Sequence, residues 1–155
     1  MINLVATYRK IPIVTGQIYH VFNRSVGKQP IFTNNSSYQR ATGTISYYQY
    51  LDTPLRFSHF IRLPEKLKNR TLDALLQGKK RVRILAYCLI PNHFHFLIQE
   101  VTDKGISSFI SNFQNSFAKY FNTKNERNGA LFQQMFKTTL IETDEQLIHV
   151  TRYIH

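Results

Sequence analysis

The sequence predicts an α+β fold in which helices cover an antiparallel sheet. Three observations predict it. Two β-rich apolar stretches, Val82–Ile90 and His93–Glu100, are separated only by Pro91-Asn92, and so short a connection joins antiparallel neighbours. A third stretch, Thr15–Arg24, alternates Ile18, His20 and Phe22 against Tyr19, Val21 and Asn23, the period of two that a strand requires. The remaining apolar residues recur largely at helical spacing, and strands interspersed with helices around a β-hairpin belong to the α+β class. A length of 155 residues with 43% hydrophobic content bounds one domain, 1–155, with its own core.

Along the chain, Arg24–Pro30 is polar and loop-like. Asn34–Ser46 suits a helix with Asn or Ser at its cap. Leu55–Ile61 is ambiguous. Leu63, Leu67, Leu72, Leu75 and Leu76 fit an amphipathic helix that Gly78 ends. Val82–Ile90 is nearly all apolar and is expected to be a central strand. Ile106–Phe121 carries Ile106, Phe109, Ile110, Phe113, Phe117 and Tyr120–Phe121 on one helical stripe, with a loop at Lys124–Gly129. Phe132–Ile141 is expected as a further strand and Thr143–His155 as a last helix. Thr143 suits its N-cap, and Asp144 and Glu145 face the positive end of its dipole.

Twenty Lys and Arg against nine Asp and Glu give a formal charge of +11. Such a chain repels itself, and a polyanion relieves the repulsion; nucleic acid is the obvious one. A merely soluble basic protein is the plainer alternative. The single cysteine, Cys88, excludes an internal disulfide and a Cys-rich zinc site. No stretch approaches the roughly 20 apolar residues of a membrane helix, and Met1–Lys10 lacks a secretory apolar core. A cytoplasmic location is the expectation, with no membrane partner.

His93 and His95 stand two apart on a predicted strand, so both point to one face while Phe94, Phe96 and Ile98 point to the other. Two strand residues span roughly 6.5–7 Å, a separation from which two imidazoles reach one metal ion at about 2.0–2.2 Å. On spacing alone, an exposed strand face that happens to carry two histidines is the commoner case. Two ligands leave a site incomplete, so a third has to come from elsewhere in the fold.

At these residues the chain becomes recognisable. AYCLIPNHFHFLIQE (Ala86–Glu100) resembles the metal-binding signature of HUH-class transposases with a single catalytic tyrosine, most closely their REP-associated branch. YHVFNR with KQPIF (Tyr19–Arg24, Lys28–Phe32) resembles that family's first strand and loop. GALFQQMFK (Gly129–Lys137) resembles its Gly-x-Leu/Phe-x-Gln segment, and LIHVTRYIH (Leu147–His155) the start of its catalytic helix. The matches run in family order; only about Ala41–Lys80 lacks one.

The resemblance implies a ferredoxin-like, RRM-like core. It implies His93 and His95 as metal ligands and Tyr153 as the nucleophile among nine tyrosines; Tyr120, on an apolar helical stripe, reads instead as core. A free phenol has a pKa near 10 and needs help to attack at neutral pH. The resemblance further implies a 5′-phosphotyrosine link, a free 3′-hydroxyl, and DNA hairpins as partners in single-stranded DNA. In the family an Asn or Gln four residues past the tyrosine completes the metal shell. That position falls beyond His155, so the chain reads as ending within its catalytic helix. His149, one turn before Tyr153, is a substitute of lower rank, and neither His20 nor His155 is preferred. Imidazole, amide and phosphate ligands suit Mg²⁺ or Mn²⁺, with affinity expected to fall below about pH 6.

Arg9, Lys10, Arg24, Lys28, Lys119, Lys124, Arg127, Lys137 and Arg152 are candidate DNA-backbone contacts. A homodimer exchanging tyrosine helices is one expectation and a monomer the other. Three competing readings stay open: an RRM-like binding module without catalysis, a metal nuclease that uses water, and an inactive transposase relative.

Overall fold

The computed structural model describes residues 11–154; Arg9, Lys10 and His155 lie outside this range. Its strands are β1 (Ile18–Arg24), β2 (Val82–Ile90), β3 (His93–Glu100) and β4 (Lys137–Leu140), and its helices α1 (Asn35–Tyr48), α2 (Phe57–Phe60), α3 (Glu65–Gln77), α4 (Gly105–Lys124) and α5 (Asp144–Ile154). The strands form one antiparallel sheet in the order β2-β3-β1-β4. The fold class expected from the sequence is the one observed.

Alternation along the strands sorts the sheet into two faces. Tyr19, Val21, Phe94, Phe96 and Ile98 are buried on one face. There the Phe94 ring meets Phe113 at 5.2 Å and the Phe96 ring meets Phe109 at 5.3 Å. These partners belong to α4, whose stripe of Ile106, Phe109, Ile110, Phe113, Phe117 and Phe121 is buried throughout. Each such side chain removed from water contributes about 1.5–3 kcal/mol, so the stripe fixes α4 under β3. The helix α1 packs on α4 in turn. It starts at a capping box: the Asn34 side chain accepts from Ser37 N, and the Ser37 hydroxyl accepts from Asn34 N. On the opposite face α5 lies over β2 and β3. The Thr143 Oγ1 accepts from Gln146 N at its start, as the sequence suggests.

Two expectations need correction. Val82–Ile90 is an edge strand, not a central one, with Leu85 44% and Tyr87 40% exposed. Its two apolar faces mimic a buried strand, but β1 takes the inner place beside β3. Of Phe132–Ile141 only Lys137–Leu140 joins the sheet ladder; Phe132 forms an isolated bridge to Ser25 and buries its ring. The amphipathic helix α3 forms where the leucine spacing places it and ends at Gly78, but it sinks only Leu75, leaving Leu67, Leu72 and Leu76 exposed. With Tyr50, Asp52 and Pro54 it lines a cavity of about 470 Å³. No helix among the described residues is long and apolar enough to cross a membrane.

The junction from β3 into α4 is tightly built. Buried Glu100 accepts from Ile106 N at 2.7 Å through its carboxylate, holding the helix start. A Cβ on Gly105 would run into the Arg81 carbonyl and the Glu100 carboxylate. The Arg81 carbonyl is main chain and cannot turn aside. Gly105→Ala is therefore expected to destabilise by about 1–3 kcal/mol. Thermal unfolding should show a drop of about 2–4 °C per kcal/mol.

Candidate metal and phosphoryl-transfer site

The register of the sheet assembles the site. On the face under α5, Phe22 stands opposite His95, Arg24 opposite His93, and Lys137 opposite Phe22. His20 lies two residues before Phe22 on that same face. A cavity of about 260 Å³ is lined by His20, Phe22, Arg24, His93, His95 and Lys137, with Asn23, Gln133 and Tyr153. The His93 and His95 rings lie 4.9 Å apart between centroids. The Tyr153 ring stands edge-on to His95 at 5.4 Å and to His20 at 6.5 Å. The last helix thus brings its tyrosine to the paired histidines. That tyrosine is 63% exposed, open to a large substrate.

Each histidine is held by its Nδ1. His93 Nδ1 lies 2.6 Å from the Asn92 Oδ1, and His95 Nδ1 lies 2.9 Å from the His20 Nε2. An amide oxygen accepts, so Nδ1 of His93 carries the proton and its Nε2 keeps a lone pair. The same tautomer on His95 has His20 accepting through Nε2. His95 Nε2 is then the telling atom: buried, and without a hydrogen-bond partner. A buried ring nitrogen left unmatched costs about 1–3 kcal/mol, and a divalent cation is a partner that a neutral imidazole nitrogen suits. The donors therefore fit a metal. Among the described residues, no group of three His, Cys, Asp or Glu side chains is arranged to hold one. His149 is exposed and does not line the cavity.

Burial, then the neighbouring His20 and His93 imidazoles, pushes the His95 pKa down to about 4. Burial also lowers His20, and burial with the Arg24 charge lowers His93. All three rings are thus kept neutral at neutral pH. The unfolded chain, with histidine near 6.5, takes up these protons first. Stability without added metal is expected to be flat above about pH 6.5 and to fall as pH drops toward about 4. Urea unfolding at constant ionic strength checks this, and a rise in stability over that range would contradict the burial of His95.

Of the basic candidates, Arg24 and Lys137 line this cavity, and no acid does. Lys137 Nζ lies 6.0 Å from the centre of the Phe22 ring. Lys28 and Arg152 are exposed elsewhere. Arg127 ties its own loop, donating to the Asn122 Oδ1 and to the carbonyls of Gly129 and Ala130. Lys119 and Lys124 belong to α4 itself, on the other side of the sheet. Tyr120 is only half-buried; it packs on Phe117 and lies under Arg40.

Sequence reasoning passed over His20, Phe22, Asn23 and Gln133. Buried Asn23 donates through its Nδ2 to the Gln114 Oε1 and the Gln133 carbonyl, tying β1 to α4 and to the segment before β4. The alternation of Thr15–Arg24 already put His20 and Phe22 on one face. Which strand that face adjoined was the missing piece.

The family model for IS200-like transposases matches residues 61–155. The chain belongs to the IS200-like transposase family. The structure of a REP-associated tyrosine transposase bound to a REP hairpin is similar to this transposase, with TM-score 0.60 and 14% identity over 96% of this chain and 70% of that one. A Deinococcus radiodurans protein described as a transposase is similar at TM-score 0.50 and 9% identity, over 95% of both chains. At such identities the likeness is one of fold. No curated protein matches the transposase by sequence.

Proposed function

We propose that this transposase cleaves and rejoins single-stranded DNA, with Tyr153 as the nucleophile and His93 and His95 as ligands of Mg²⁺ or Mn²⁺. The observation that carries the reading is the meeting of three groups from distant parts of the chain: a phenol, two neutral imidazoles of which one has a buried nitrogen without a partner, and cationic Arg24 and Lys137. In this step the Tyr153 oxygen forms a bond to the scissile phosphorus, and the bond from phosphorus to the 3′-oxygen breaks. The phenolic proton leaves to solvent, and the departing 3′-oxygen gains one. The product is a 5′-phosphotyrosine and a free 3′-hydroxyl. No bond energy is lost to water, so attack by a 3′-hydroxyl in the reverse sense reseals a strand. A divalent metal bound at the imidazoles supplies Lewis-acid stabilisation of charge on the phosphate. Arg24 and Lys137 attract the same phosphate and hold it over the sheet.

The neighbour bound to a REP hairpin supports DNA with a hairpin as the substrate. The test is denaturing electrophoresis of the protein mixed with labelled hairpin DNA carrying a single-stranded tail. A covalent band that needs Mn²⁺ or Mg²⁺ and vanishes with EDTA is expected. A pure binding module gives no such band, and a nuclease using water gives cut DNA without one.

His20 is read as holding His95 in the tautomer that leaves Nε2 open. Loss of such a support commonly costs 10–100-fold in metal affinity. His20→Ala is expected to weaken Mn²⁺ binding by about that factor, while His20→Gln, which keeps an acceptor, recovers part of it. Titration calorimetry measures both. Equal affinity in His20→Ala and the unaltered protein would remove the role.

A further inference from the structure

A second cavity lies on the far side of the sheet from the histidines. It has a volume of about 790 Å³ and runs between α1, α2 and α4. Five cations line it: Arg40, Arg56, Arg62, Lys119 and Lys124. No acidic side chain does. None of these five charges forms an ion pair with a described carboxylate. Such a gathering of like charge costs stability unless an anion joins it.

The interior of the cavity narrows the anion further. Arg40 is half-buried, with its guanidinium 4.9 Å from the Tyr120 ring centre and 5.2 Å from that of Phe57. Its Nε is buried and has no hydrogen-bond partner. Lys124 Nζ lies 5.6 Å from the Tyr120 ring centre and 3.3 Å from its hydroxyl. Arg40 and Lys124 thus already occupy the Tyr120 ring, and Tyr48 is buried, which leaves the exposed His59 imidazole as the ring open to an incoming base. What remains on offer is positive charge with the Asn112 and Asn115 amides and the Ser36, Ser58 and Ser116 hydroxyls. A set so rich in cations favours phosphate oxygens.

We propose that this cavity binds the phosphodiester backbone of DNA, as a second contact separate from the phosphate cut at Tyr153. The inference rests on the reading of DNA as substrate. A strand seated in both places passes around the edge of the sheet, because α4 stands between the cavity and the histidine face. The contact therefore sets register and affinity without touching the reacting atoms. Free polyphosphate shares the chemistry and is the competing source.

The experiment uses the full chain carrying Arg56→Gln, Arg62→Gln and Lys119→Gln together. All three side chains are exposed, and thermal unfolding verifies that the fold is kept. Fluorescence anisotropy measures binding of hairpin DNA with a tail across a range of NaCl. Each phosphate contact contributes about 0.9 to the slope of log K against log salt. The expected result is a slope shallower by about 2–3 and affinity at least ~10-fold weaker at low salt, with the adduct rate at saturating DNA unchanged. An unchanged slope overturns the proposal. So does a fall in the saturated adduct rate at equal affinity, which would put these charges at the chemistry. Inorganic tripolyphosphate that binds the unaltered protein without displacing DNA also overturns it, in favour of the free anion. The binding arm needs no cleavage, so a shallower slope without any covalent band would leave this site standing while the catalytic reading fell.

Discussion

Tyr153→Phe is expected to abolish the covalent protein–DNA band, a loss of more than about 10³-fold, while leaving DNA affinity within a factor of about two. The substitution removes one oxygen and nothing else. The phenyl ring keeps its edge-on packing against His95 and His20. The residue is largely exposed and its hydroxyl makes no protein hydrogen bond among the described residues, so stability should change by less than about 0.5 kcal/mol. A loss of activity therefore cannot be put down to misfolding. Because the phenol is the atom that would be bonded to phosphorus, no neighbouring group replaces it. Tyr120, on α4 at the other side of the sheet, has no route to the same phosphate. If the variant still formed a covalent band, another nucleophile would have to be sought; if it still cut DNA without a band, water would be the attacking group.

His95→Ala carries the second large effect. His95 is 6% exposed and supplies a buried nitrogen with no protein partner. Removing it takes away a proposed ligand and leaves the His20 Nε2 facing a void. The Mn²⁺ affinity is expected to fall by more than about 100-fold, and the adduct should be undetectable at millimolar metal. His95→Gln, which fills more of the space, separates the two contributions: it should recover stability more than metal affinity. Calorimetry with Mn²⁺, read beside thermal unfolding, distinguishes them. Full metal-dependent cleavage by His95→Ala would end the assignment of the paired imidazoles as ligands.

What was legible from sequence follows from how far apart the interacting residues are. The β2–β3 hairpin turns at Pro91-Asn92, and α4 announces itself by a stripe of phenylalanines, so both are local and both were read. The placing of Phe94, Phe96 and Ile98 opposite His93 and His95 needs only the two-residue period. Strand order is different in kind. Nothing within Val82–Ile90 records that β1 pairs with the other side of β3, so β2 was given the wrong position. The same distance hid His20, whose partner His95 is 75 residues away. Surface cations were the least legible. Arg24 and Lys137 gather at the histidines because β1 and β4 are neighbours, whereas Lys119 and Lys124 go elsewhere with α4. The leucines of α3 have helical spacing, but spacing does not say whether a face will find cover.

The order of the strands also has a kinetic side. The β2–β3 turn closes between adjacent segments, an event of about 1–10 μs for an isolated hairpin. By contrast β1 waits for partners made far later in the chain, and such distant closures are slow. The two imidazoles on β3 can thus fall into line early, through contacts within a few residues of one another. The strand bearing His20 arrives afterwards and locks a ring already in position. A nascent chain would hold its paired-histidine ledge half-formed until the amino-terminal strand came back to finish it.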